Sequence, residues 1–215
     1  IAYNWTNTTP SIGLAASGNG NISSFTATNT TSAPVTATIT VTPSYTNGVS
    51  CGGTPITFTI TVNPNATVNA IADQTICSGS PTNAINFGSP TTGGIIVYNW
   101  TNDNSTIGLG SGGSGNIPSF TASNSGNSII TANVTVTPSY TNGGATCTGT
   151  PFTFKINVNP TVTVTATPTS PAICSGSTTS VDLTSNVSGA TFSWTVVQSG
   201  VSGAISGSGT SITQD

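Results

Sequence analysis

The chain contains no histidine, no glutamate and no methionine, and it carries one base, Lys155. Its acids are Asp73, Asp103, Asp182 and Asp215. General acid–base catalysis needs a positioned titratable group, usually oriented by a second one. Four scattered aspartates supply no such pairing, so the sequence does not read as that of an enzyme. Zinc wants three or four Cys, His or carboxylate ligands at close spacing, and calcium wants clustered carboxylates. Neither pattern occurs, so no metal and no other cofactor is expected. One lysine and a net charge of −3 leave no basic surface for counterion release, which argues against nucleic acid as a partner. A polybasic membrane patch is excluded on the same ground. Direct membrane insertion is not expected either, because no apolar run approaches the roughly 20 residues of a spanning helix. The opening Ile1-Ala2-Tyr3-Asn4-Trp5 lacks the basic-then-apolar order of a signal peptide, so any export signal is expected upstream.

What is abundant is Thr, Ser, Asn, Gly and Val, with only 2% of residues charged. Low charge with modest hydrophobicity can mean disorder. Here the alternation of Val, Ile and Phe with Thr argues for strands with one buried face, since β-branched Thr fits a pleated surface. The expectation is a folded all-β chain whose solvent face carries hydroxyls in place of charges.

A repeat of about 95 residues runs through the sequence. Tyr3-Asn4-Trp5-Thr6-Asn7 recurs as Tyr98-Asn99-Trp100-Thr101-Asn102, and Ser24-Phe25-Thr26-Ala27 as Ser119-Phe120-Thr121-Ala122. The run Val41-Thr42-Pro43-Ser44-Tyr45-Thr46-Asn47-Gly48 recurs at 136–143, and Val62-Asn63-Pro64 recurs as Val158-Asn159-Pro160. A third copy opens with Ile173-Cys174-Ser175-Gly176, which repeats Ile76-Cys77-Ser78-Gly79, and Trp194 is a looser counterpart of Trp100. The expected organisation is the rear of one repeat over 1–64, a complete repeat over 65–160 and the front of a third over 161–215. The chain then reads as a piece of a longer array.

Within 65–160 the pattern predicts short strands separated by turn signals. They are Ala84-Ile85-Asn86-Phe87, a run from Ile95 to Trp100, Ile129 to Thr137 broken at Pro138, and Phe152 to Val158. Gly110 to Gly115 reads as a glycine-rich loop, and no stretch has helical periodicity.

Each complete repeat carries an early and a late cysteine. The simplest pairing is Cys77 with Cys147, flanking Trp100 within one repeat; Cys51 and Cys174 then pair with cysteines outside residues 1–215. The alternative joins Cys51 to Cys77 and Cys147 to Cys174, clamping neighbouring repeats, and spacing alone does not fix connectivity. A loop of that length closed by a disulfide is worth roughly 4 kcal/mol on the chain-entropy model. Either pairing implies an oxidising compartment.

Three signatures carry a family resemblance: Ile-Cys-Ser-Gly near the repeat start, Tyr-Asn-Trp in mid-repeat, and Cys-x-Gly-Thr-Pro-x-Thr-Phe-x-Ile-x-Val-Asn-Pro at its end, from Cys147 to Pro160. Cys51 to Pro64 matches the last signature at every position. With these the chain resembles the PKD-like, immunoglobulin-like repeats of very large surface proteins of Bacteroidota, including the SprB-like adhesins of gliding flavobacteria. The resemblance implies tandem β-sandwiches exported to the bacterial cell surface, serving as stalk or adhesive filament. The Trp-Asp-Phe-Gly-Asp-Gly turn of better-known PKD domains is absent.

Trp5, Trp100 and Trp194 read as core residues on a central strand, against a sugar-stacking role. Tyr45 and Tyr140, in Pro-Ser-Tyr-Thr-Asn-Gly, are the candidate ligand contacts, though packing beneath a turn is the favoured reading of both. Lys155 is matched by Thr59 in the preceding copy, so it reads as a surface lysine and not as a cross-link. The functional expectation is a structural spacer whose partners are the neighbouring repeats. The alternatives are a module that grips polysaccharide or other external surfaces by multivalency, and a subunit that self-associates into filaments through sheet edges.

Overall fold

A computed structural model describes residues 1–170, 172–199 and 203–214. Asp215, counted above among the acids, lies outside the described residues. Strand dominates throughout, and the only helical elements among the described residues are two single 3-10 turns, Pro10–Ile12 and Ser105–Ile107. The all-β expectation holds.

The first sheet contains β1 (Ala2–Asn7), β2 (Ser17–Asn19), β3 (Val35–Asn47), β4 (Val49–Gly52) and β5 (Ile56–Val62). Its order is β2-β1-β3-β4, with β5 also on β3. The second sheet adds β6 (Gln74–Cys77) and then repeats the plan with β7 (Ile95–Asn102), β8 (Gly112–Ser114), β9 (Ile130–Asn142), β10 (Ala145–Thr148) and β11 (Phe152–Asn159). Register is reproduced: Trp5 faces Gly18 and Val41, and Trp100 faces Gly113 and Val136. All these pairings are antiparallel except that of β6, which runs parallel to β11 with Cys77 level with Asn159. The remaining strands are β12 (Val164–Pro168), β13 (Thr179–Ser185), β14 (Ser193–Trp194), β15 (Gly207–Ser208) and β16 (Ser211–Gln214). They form a three-stranded sheet, β12-β13-β16, and a two-stranded one, β14-β15.

Strand β9 runs straight through Pro138, where the sequence suggested a break. The reason lies in its partners. On one side β9 pairs with β11 over 130–136 and with β10 over 139–142, so Pro138 falls at the changeover between them. Its carbonyl accepts from Gly149 N at 2.8 Å, and its missing N–H points into the gap, where no rung is lost. Two further expectations are corrected. Gly110 to Gly115 is not a free loop, because Gly112–Ser114 is β8, hydrogen-bonded along β7. Ala84 to Phe87 forms no strand; it touches its neighbour through one bridge, Ile85 to Ile117.

The alternating faces of β7, β9 and β11 meet a second layer drawn from residues 66–88 and 117–122. Trp100, Val134, Val136, Phe154, Ile156 and Val158 are buried against Ile85, Ile117 and Ala122, with Val68, Ile71, Ile76 and Phe87 packed at the margin. Each fully buried side chain of this kind contributes about 1.5–3 kcal/mol. Phe58, the counterpart of Phe154 in register, is 44% exposed against 2%, because no segment like 66–88 covers the first sheet.

Candidate functional site

Each tryptophan sits on a cross-strand glycine. A methyl group at Gly113 would lie 2.5 Å from Cζ2 of Trp100, and at Gly18 it would lie 2.3 Å from the same atom of Trp5. Trp194 repeats the device over Gly207. The glycine lets the indole lie flat on the backbone of the edge strand, so the ring is sandwiched between that strand and the core. Trp5 and Trp100 are buried, and Trp194 is half-buried with its Nε1 donating to Ile205 O at 3.1 Å. The indole N–H groups of Trp5 and Trp100 are buried without an acceptor among the described residues. None of the three rings is fully presented to solvent as a stacking platform would be.

Tyr140 is corrected as a candidate ligand contact. It is fully buried, its hydroxyl donates to Thr92 O at 3.1 Å, and Gly93 and Gly94 close over its ring. Burial pushes its phenol pKa up, and the neighbouring Cys147 adds to the effect. Tyr45 is 54% exposed, with no counterpart of Thr92–Gly94 over its ring among the described residues.

The turn over Tyr140 belongs to a joint between the first and second sheets. Asn63 Nδ2 donates to Asn142 O, and Asn142 Nδ2 donates back to Asn63 Oδ1, both at 3.0 Å. Thr92 N donates to Ser32 O at 2.8 Å, and on the second repeat's own side of the joint Thr150 N donates to Ala66 O at 2.9 Å. Gly149 permits the last contact: a methyl group there would meet Ala66 O at 2.1 Å. Sequence reasoning passed over Asn63 and Asn142. The signal was available, because both lie in runs that recur, at Asn159 and Asn47.

All four cysteines are free thiols, which corrects the expected Cys77–Cys147 disulfide. Cys147 stands opposite Tyr140, near the Asn142 end of β9; Cys77 stands level with Asn159, next to Val158, which faces Ile130 at the other end. Ten residues of strand separate these levels, about 33 Å, whereas a disulfide needs Cα atoms within about 7 Å. The alternative pairing of Cys51 with Cys77 is further apart still, since Cys51 faces Tyr45 near the far tip of the first sheet. Cys147 and Cys174 are likewise unbonded.

Among the described residues no group of three or more His, Cys, Asp or Glu could hold a metal ion. Asp103 is taken up by a turn: its carboxylate accepts from Asn133 Nδ2 and Asn133 N, both at 2.7 Å. Those bonds hold its pKa below the usual carboxylate range, the side-chain bond contributing most. Asp73 accepts from Lys155 N at 2.7 Å, tying the approach to β6 onto β11. No helix among the described residues is long and apolar enough to cross a membrane.

Two facing layers, antiparallel ladders and tryptophans packed inside define an all-β chain consistent with β-sandwiches of the immunoglobulin-like and PKD type. Residues 171–215 match the family described as a PKD-like domain. No curated protein matches the chain.

Proposed function

We propose that the chain is a run of tandem PKD-like units, with limits at 1–64, 65–160 and 161–215, that acts as a spacer in an extracellular surface protein. The family match begins just before Ile173-Cys174-Ser175-Gly176, and the same tetrad opens the preceding repeat at Ile76, which extends the PKD-like reading to residues 65–160. The observation that carries the proposal is the joint. A reciprocal asparagine pair and the backbone bond of Thr92 to Ser32 hold one sheet end-on to the next, as an extended array requires and an independent binding module does not. The burial of Trp5, Trp100 and Tyr140 supports it, since it takes those three rings out of reach of a sugar. The finer reading, the stalk of an adhesin of the gliding type on a bacterial cell surface, rests on the resemblance of the repeat signatures. In the test, the full chain is passed over insoluble polysaccharides and intact cells. A spacer runs through unretained; retention that disappears in Tyr45→Ala replaces the spacer with a binding module.

A further inference from the structure

We propose that the early cysteine of each repeat forms a disulfide with the late cysteine of the repeat that follows, so that every joint in the array is covalently locked. The inference rests on the tandem reading above. It comes from the order in which strand ends meet at the joint. The end of β5, at Asn63, stands on β9 at Asn142, and the approach to β3, at Ser32, stands on the approach to β7, at Thr92. Stepping from β3 to β5 across the first sheet therefore corresponds to stepping from β7 to β9 across the second. One strand further along the second sheet is β10, which presents Cys147 beside Tyr140. One strand further along the first sheet is the place that β6 occupies beside β11 in the second sheet, and β6 ends at Cys77, level with Asn159. Asn159 is the counterpart of Asn63. An early cysteine thus stands over the late cysteine of the next repeat.

The far end of the second sheet shows the other half of the arrangement. There Cys77 and Asn159 line a cleft of about 450 Å³ with Pro160, Val162, Val187 and Ser188, at the start of the third repeat. Cys77 is exposed to this joint, and Cys147 is half-buried at the opposite one. A disulfide spans Cα atoms about 4.4–6.8 Å apart, so the scheme requires the two strand ends to meet within that reach across the joint. On this scheme no two of Cys51, Cys77, Cys147 and Cys174 are partners of each other, in keeping with the free thiols seen here. Each bond forms when two thiols lose two protons and two electrons to a disulfide oxidant, small-molecule or protein, which leaves as two thiols.

The test inserts a second copy of residues 65–160 after Pro160 of the full chain and equilibrates the product with oxidised glutathione. Of its six cysteines, four native and two from the inserted copy, two are expected to form one internal bond, from Cys77 of the first copy to Cys147 of the second. Mass spectrometry of proteolytic peptides should find this cross-link. Cys77→Ser in the first copy should abolish it, and the same change in the second copy should leave it intact. A bond between Cys77 and Cys147 of one copy, in this chain or in the unextended 215-residue chain, overturns the proposal. So does the absence of any internal bond in a chain whose scattering profile lengthens by one repeat, and that outcome leaves the spacer reading standing. A profile that fails to lengthen overturns the spacer reading and with it the geometry of the bond.

Discussion

The amide of Asn102 donates to the carbonyls of Leu109, Gly110 and Asn104, and its oxygen accepts from Asn104 N. Asn7 does the same work in the first sheet, reaching Leu14 and Ala15. Asn124 bridges Ser128 O and Val158 O, as Asn29 bridges Ala33 O and Val62 O. Buried and half-buried asparagines thus tie loops to strands where other proteins use ion pairs, and a neutral amide does so at a lower desolvation cost than a charge. The glycines beneath the tryptophans are equally specific. Gly113→Ala places a methyl group against the Trp100 ring and the edge strand has to move away, so chemical denaturation should show a loss of about 1–3 kcal/mol. Gly110→Ala, three residues earlier and with open space around it, should change stability far less and serves as the control.

At the scale of the element, alternation of β-branched and polar residues made β7, β9 and β11 legible, and the recurrence of their sequences in β1, β3 and β5 made the shared plan legible too. The failures have physical causes. Pro138 reads as a strand breaker only until the changeover from β11 to β10 is seen, because a missing donor does no harm where no acceptor waits. Gly112–Ser114 reads as a loop because glycines carry no pattern, yet β8 needs a glycine to admit an indole. The cysteines looked paired within a repeat because sequence order hides the length of β9 between them. Asp103 and Asn133 form a clasp between the end of β7 and β9 that no periodicity announces. The clasp has a pH signature. The folded Asp103 carboxyl ionises at lower pH than in the unfolded chain, so its contribution is present above the ordinary carboxylate value of about 3.9 and is lost as pH falls through the folded value. Asp103→Asn should therefore lower the melting temperature slightly at neutral pH, where the clasp contributes, and flatten the acid limb of a plot of melting temperature against pH, the two proteins converging at low pH.

For the whole molecule, the joint decides shape more than stability. Asn142→Ala removes one half of the reciprocal pair with Asn63, a partly buried contact worth about 1 kcal/mol. Melting should barely respond, whereas small-angle scattering should show a broader spread of end-to-end distances as the first sheet swings on the second. Unchanged scattering would mean that the Thr92 bond to Ser32 and the remaining bond from Asn63 to the carbonyl of residue 142 hold the joint by themselves. With one lysine and four aspartates, long-range Coulomb forces contribute little at any salt concentration, so the same profile is expected in dilute and concentrated salt.

The parallel pairing of β6 with β11 has a mechanical consequence. The chain enters the second sheet at Pro64, beside the first, and leaves it at Pro160, beyond the opposite end. A pull on those two points drags the start of β6 one way and the end of β11 the other, so the two strands are made to slide past each other along their length. The rungs from Gln74 to Cys77, with the Asp73 bond to Lys155 N just before them, then carry the load side by side, like the fasteners of a lap joint. A hairpin pulled open from its tip breaks one rung at a time under a small force. This geometry breaks none until all of them yield together, so the repeat stays stiff under tension up to the point of rupture.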